Sequence, residues 1–188
     1  MRRFPASSAT WWPRWCAVAE PPRAIVALGA NLGDPLATLR AAAARVSELG
    51  SDLVRSDLYR TAPVGGPAGQ PDYLNAVLAF RPAPAWNDPS ALLRELHAIE
   101  RDFGRRRRVR WEARVLDLDL IALGERIEDG PELTLPHPRA MVRPFVLVPL
   151  LQIAPDWRDP RTGRSAADAL AAMDASGVRR SGSGWGAG

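Results

Sequence analysis

The chain contains no lysine: all 25 basic residues among its 188 are arginine. No ammonium is therefore available for a P-loop, a Schiff base or a catalytic proton transfer. A single cysteine, Cys16, excludes an intrachain disulfide, and with only two histidines it cannot build an ordinary Cys/His zinc site. Any metal must rest on carboxylates, which points to Mg²⁺ or Mn²⁺. No run of apolar residues reaches the length of a membrane-spanning helix, so no membrane partner is expected. The N-terminus opens with Met1-Arg2-Arg3, but Pro13 and Arg14 break any apolar signal core, and the cytoplasm is the expected compartment. Residues 1–22 read as an N-terminal extension that is either disordered or packed on the domain through Trp11, Trp12 and Trp15.

The remaining composition is that of one globular domain, with 46% hydrophobic and 24% charged residues. Its expected span is 23–175, followed by a flexible, glycine-rich tail at 176–188. The net charge of +4 would suit nucleic acid, an anionic membrane or an anionic small substrate. The charge is not spread evenly, because Arg105-Arg106-Arg107-Arg108-Val109-Arg110 concentrates it in one segment.

Periodicity orders the elements. Ala24 to Leu28 is a short apolar run bounded by Arg23 and Gly29, which predicts a buried strand. Asp34-Pro35 has the form of an N-cap followed by proline at the first helical position. Leu36, Leu39, Ala43, Val46 and Leu49 then predict an amphipathic helix over 35–49, ended by Gly50. Leu53 to Tyr59 predicts a second strand, and 61–71, rich in glycine and proline, a long loop. Tyr73 to Phe80 predicts a third strand with Leu74, Ala76, Leu78 and Phe80 on one face. Asp88-Pro89 repeats the cap signal before a second helix that stops at Gly104. Val115 to Leu123 predicts an apolar strand, Leu133 to Leu135 a short one, Val142 to Ile153 a helix broken by Pro144 and Pro149, and Ser165 to Met173 a last helix. Strand–helix–strand–strand–helix–strand is the split βαβ order of a ferredoxin-like α+β domain: an antiparallel sheet with helices packed on it.

Asp117-Leu118-Asp119 is the sharpest local signal. Side chains at i and i+2 of a strand leave one face, so two carboxylates stand together while Leu116, Leu118 and Leu120 enter a core. Adjacent carboxylates repel and resist burial. Mg²⁺, which takes one or two carboxylates plus phosphate oxygens, would compensate them. So would arginines or plain exposure, and spacing alone leaves these readings level. The arginines of 105–110 and Arg114 lie just before this strand, where guanidinium groups could grip phosphates beside the carboxylates. Thr61, Tyr73, Asn75 and Trp111 could shape a flat pocket with polar edges, with Trp111 or Phe145 stacking on a ring. Gly29-Ala30-Asn31-Leu32-Gly33 has neither dinucleotide-fingerprint nor P-loop spacing.

Taken together, these segments resemble the 6-hydroxymethyl-7,8-dihydropterin pyrophosphokinases of folate biosynthesis. The resemblance is carried by Ala27-Leu28-Gly29-Ala30-Asn31-Leu32-Gly33-Asp34, Tyr59-Arg60-Thr61-Ala62-Pro63-Val64-Gly65 and Gln70-Pro71-Asp72-Tyr73-Leu74-Asn75-Ala76-Val77. Arg114-Val115-Leu116-Asp117-Leu118-Asp119-Leu120, Leu135-Pro136-His137-Pro138 and Arg143-Pro144-Phe145-Val146-Leu147 continue it in order. It implies transfer of the pyrophosphoryl unit of ATP, the co-substrate, to the hydroxymethyl group of a reduced pterin, with release of AMP. It also implies that Asp117 and Asp119 hold two Mg²⁺ ions and that Arg105 and Arg114 grip phosphates. Glu100, Arg110, Leu118, His137 and Arg143 fall at nucleotide-contacting positions. Thr61, Val64, Tyr73, Asn75, Trp111 and Phe145 fall at pterin-contacting ones. The chain departs from the pattern at Ala62, where proline is common, and at Glu112-Ala113 before Arg114. A monomer with two small-molecule partners and no nucleic acid is expected. An RNA-binding module of the same fold class, or a pterin-binding protein without turnover, is the alternative. The first leaves the paired carboxylates unexplained; the second is separated by whether AMP forms.

Overall fold

The computed structural model of the chain describes residues 23–65, 67, 69–104, 114–182, 184 and 185. The extension 1–22 and three expected site residues, Arg105, Arg110 and Trp111, lie outside the described residues. Strand β1 (Ala24–Ala30) is followed by helix α1 (Pro35–Ser47), β2 (Gly50–Arg55), β3 (Leu58–Thr61), β4 (Tyr73–Pro82), α2 (Pro89–Asp102) and β5 (Asp117–Leu123). A small hairpin, β6 (Glu128–Asp129) and β7 (Thr134–Leu135), leads to α3 (Pro144–Ile153), α4 (Ala166–Ala171) and β8 (Arg179–Gly182). The main sheet runs β5-β1-β4-β3-β8, with β2 beside the other half of β4. All its pairs are antiparallel. This is the expected ferredoxin-like α+β architecture.

The helices start where their caps place them. Asp34 Oδ1 accepts from the Ala37 N–H at 3.0 Å and Asp88 Oδ1 from that of Ala91 at 2.7 Å, each with proline at the first helical position. Strand alternation then builds two cores. On one face Val26, Leu28, Leu74, Ala76, Leu78, Phe80, Leu118 and Leu120 meet the apolar stripes of α1 and α2. On the other, Ile25, Val77, Ala79, Ile121 and Ala122 meet Val146, Leu147 and Leu150 of α3 and Ala166 and Ala169 of α4. The open sheet face that an RNA-recognition module uses for stacking is thus covered by α3 and α4. No helix among the described residues is long and apolar enough to cross a membrane.

Four local expectations need correction. The run Leu53 to Tyr59 is two strands, because Ser56 and Asp57 turn out of the ladder: the Ser56 hydroxyl accepts the Val77 N–H at 2.9 Å. Gly50 does not cap α1; it opens β2, where an added Cβ would overlap the Arg81 carbonyl. Neither Pro144 nor Pro149 breaks the apolar helix, since Pro144 sits at its first position and Pro149 lies inside it. The segment expected to be a flexible tail instead adds β8 to the sheet edge. Gly50→Ala is accordingly expected to cost about 1–3 kcal/mol through forced backbone displacement, read as a lower urea midpoint at unchanged m-value.

Candidate active site

One row of directly opposed residues crosses the sheet: Asp117 on β5 faces Gly29 on β1, Gly29 faces Asn75 on β4, and Asn75 faces Tyr59 on β3. These positions share the face that carries α3. Along β5 that face changes from Ile121 to Asp119 and Asp117, and along β4 from Ala79 and Val77 to Asn75 and Tyr73. The apolar core therefore grades into a polar cavity of about 310 Å³ at one end of the sheet. Gly29 forms its floor. A Cβ there would stand 3.3 Å from Asn75 Oδ1, so only a bare backbone leaves the space between Asp117 and Asn75 open.

Each of the two carboxylates is paired with an arginine. Arg114 Nη1 lies 2.5 Å from Asp117 Oδ1, and Arg143 Nη1 lies 2.9 Å from Asp119 Oδ2. Burial works against the charge on Arg114, but the field and hydrogen bond of Asp117 outweigh it and raise the guanidinium pKa. His137 Nε2 stands 4.0 Å from Asp119 Oδ2, while its Nδ1 accepts the Arg139 N–H at 3.1 Å. Burial lowers the imidazole pKa below its ordinary value despite Asp119, so the ring is neutral at pH 7.

The opposite wall is polar at the base and apolar at the rim. Asn75 Nδ2 donates to Thr61 Oγ1 at 2.9 Å, both residues being buried. Phe145 lines the cavity with the Arg143 guanidinium 5.7 Å above its ring. Tyr73 completes the lining, its hydroxyl pKa raised first by burial. Val64 and Val142 stand at the mouth, 64% and 62% exposed. A slot with an amide and a hydroxyl at one end, carboxylates and guanidinium groups at the other, and an aromatic ring on its side suits a flat heterocycle that reacts with a polyanion.

Residues 25–155 match the family model of 7,8-dihydro-6-hydroxymethylpterin-pyrophosphokinase. The chain belongs to this family. It is 43% identical over 157 residues to the 2-amino-4-hydroxy-6-hydroxymethyldihydropteridine pyrophosphokinase of Synechocystis sp., covering 82% of this chain and 78% of that protein. Against the Pseudomonas aeruginosa protein of the same name the identity is 41%, covering 84% of this chain and 96% of the relative. A Plasmodium falciparum HPPK-DHPS structure superposes with a TM-score of 0.62 at 13% identity, over 80% of this chain, which spans 43% of that longer one and shows likeness of fold alone.

Within this pyrophosphokinase frame the expected site residues fall into two groups. Asp117, Arg114, Arg143, Thr61, Val64, Tyr73, Asn75 and Phe145 line one cavity together with Asp119. Glu100, Leu118 and His137 do not line it. The Leu118 side chain is buried on the other face of the sheet, and its N–H donates to Glu100 Oε1 at 2.8 Å. Glu100 thus satisfies a backbone donor of β5 from α2. Two residues without an expected role belong to the site. Asn31 is buried; its Oδ1 accepts the Arg114 N–H at 2.8 Å and its Nδ2 donates to the Pro71 carbonyl at 3.1 Å. It therefore pins both loops that flank the cavity. Its signal in the sequence is a bare asparagine directly after a buried strand. Arg139 joins Arg114 and Arg143 in the lining, announced only by standing two residues after His137. For Glu100, replacement by alanine is expected to cost about 1–3 kcal/mol by orphaning the Leu118 N–H, and replacement by glutamine clearly less, as compared by thermal melts of the metal-free chain.

Proposed function

We propose that this chain transfers the pyrophosphoryl group of ATP to the hydroxymethyl group of 6-hydroxymethyl-7,8-dihydropterin and releases AMP, as a step of folate synthesis. The observation that carries the reading is the row Asp117–Gly29–Asn75, which puts a carboxylate and an amide at opposite ends of one slot. Two strand spacings separate them, about 10 Å between their Cα atoms, the scale of a bicyclic ring with its hydroxymethyl arm. Asn75, Thr61 and the backbone at Val64 read the pterin edge, Phe145 stacks on the ring with Trp111 closing nearby, and Tyr73 bounds the pocket. The hydroxymethyl oxygen then lies at Asp117.

The residues present fit Mg²⁺. Asp117 and Asp119 offer only oxygen donors, on one face, open to the cavity. Among the described residues no cluster of three His, Cys, Asp or Glu side chains forms a closed cage. Two carboxylates with the remaining positions left to phosphate and water are what Mg²⁺ accepts. Asp117 and Asp119 would hold two such ions, which supply charge neutralisation and polarisation of the phosphoryl oxygens. In this reading Arg114 and Arg143 leave the carboxylates and turn their planar forks to the phosphates, and Arg105 is assigned the same task. His137 and Arg110 attend the nucleotide, whereas Glu100, buried against the Leu118 N–H, supports β5 from behind. The hydroxyl oxygen attacks the β-phosphorus, the bond from that phosphorus to the α-phosphate oxygen breaks, and the hydroxyl proton passes to Asp117 or to water. Electrostatics and alignment do the catalysis, which is why the chain manages without lysine. The reading takes pterin, ATP and Mg²⁺ as the partners of a monomer acting in the cytoplasm.

The test is AMP formation from ATP in the presence of the reduced pterin and Mg²⁺. Asp117→Ala and Asp119→Ala are each expected to lower turnover about a hundred-fold or more at native circular dichroism. ADP in place of AMP would overturn pyrophosphoryl transfer. Asn75→Ala is expected to raise the pterin KM about ten-fold and leave the ATP KM near its wild-type value.

A further inference from the structure

The sheet row that begins at Asp117 does not end at Tyr59. Tyr59 faces Asn75 on one side and Arg180 of β8 on the other. The Arg180 guanidinium closes on Asp57: its Nε donates to Oδ2 at 2.5 Å and its Nη2 ion-pairs with the same oxygen. Asp57 is 6% exposed, so its charge is largely removed from water. Gln152 of α3 meets it from the other side, Nε2 donating to Asp57 Oδ2 at 2.7 Å. Gln152 Oε1 in turn accepts the Asp57 backbone N–H at 2.7 Å and the Tyr59 hydroxyl at 3.1 Å. Farther along, Trp185 Nε1 donates to the Ser56 carbonyl at 2.6 Å and Arg40 Nε to the Gly184 carbonyl at 2.8 Å.

These contacts join the far ends of two elements whose near ends form the cavity. β3 runs from Leu58 to Thr61, and α3 runs from Phe145, near its N-terminus, to Gln152, near its C-terminus. β3 is four residues long, and without β8 it would be an edge strand held by β4 alone. A buried carboxylate stripped of its arginine loses the partner that offsets its burial, which shifts the turn that leads into β3.

We propose that the C-terminal segment 179–185 is a positioning element of the pterin pocket, in which Arg180 and Trp185 fix Thr61 on β3 against Phe145 on α3. The inference rests on reading the cavity as the pterin site. It concerns residues beyond the 25–155 that the family model matches. Neither Arg180 nor Trp185 lines the cavity, so both act through Asp57, Ser56 and Tyr59.

The experiment titrates the full chain with the reduced pterin in the presence of Mg²⁺ and a non-hydrolysable ATP analogue, and separately with that analogue alone. Both titrations run well below the lowest melting temperature of the set. Arg180→Ala is expected to weaken pterin binding about five-fold and leave the nucleotide dissociation constant within about two-fold. In a double-mutant cycle with Gln152→Ala the two losses are expected to be less than additive, because both variants break one cluster. Arg180→Gln and Trp185→Leu, which keep more of the packing, are each expected to weaken pterin binding at least about two-fold, and they decide the matter should Arg180→Ala not fold. Lower melting temperatures with wild-type pterin affinity in the folded variants would reduce the segment to a stabilising strap and overturn the inference alone. A wild-type chain that fails to bind the pterin would sink the functional reading, and this inference with it.

Discussion

The structure turns on the cost of standing two carboxylates side by side at the end of an apolar strand. Asp117 and Asp119 cannot be withdrawn into the core, because Leu116, Leu118 and Leu120 occupy the other face. Nor can they be left unneutralised, because each repels the other and both are partly removed from water. Arg114 and Arg143 supply the compensation, and they come from different places: one just before β5, the other at the entrance to α3. Neutralising the pair thus pins Arg114 and the start of α3 to one strand. That start of α3 carries Phe145, so the aromatic wall and the charged end of the cavity are set by the same two ion pairs.

Much of this was legible because it is local and periodic. The proline-led caps of α1 and α2, the alternation on β4 and the i, i+2 carboxylates each rest on a few consecutive residues whose geometry the backbone dictates. Spacing alone could not decide whether Asp117 and Asp119 face metal or arginine. In the structure each pairs with an arginine, which is compatible with both readings.

What was not legible is non-local. Ser56 and Asp57 break the second strand only because Val77 and Gln152 wait across the sheet and on α3 to receive them. Gly50 looks like a helix terminator from its neighbours, yet its reason is the Arg81 backbone more than thirty residues on. The tail from 176 has the composition of a frayed end, and nothing in Arg179-Arg180-Ser181-Gly182 favours a strand by propensity. Its order comes from a buried carboxylate and an open strand edge elsewhere in the fold. Asn31 was visible as a motif letter, but its work of joining the two flanking loops shows only when Pro71 and Arg114 are seen to converge on it.

The cavity is finally a consequence of register. A β-strand places alternate residues on one face, and the row Asp117–Gly29–Asn75–Tyr59 exists because four strands are aligned with no slip at that level. Shifting β1 by one residue against its neighbours would replace Gly29 by Leu28 or Ala30 in that row and fill the floor. The irregularity in the β1–β5 ladder lies at Ile25 and Val26, toward the opposite end of the strands, so the twist it introduces is absorbed in the apolar core and not at the site. A polar slot can therefore be cut into one face of an otherwise apolar sheet by a single glycine, provided the register around it is held. The core beneath α1 and α2 holds it from one side, and the edge strands hold it from the ends.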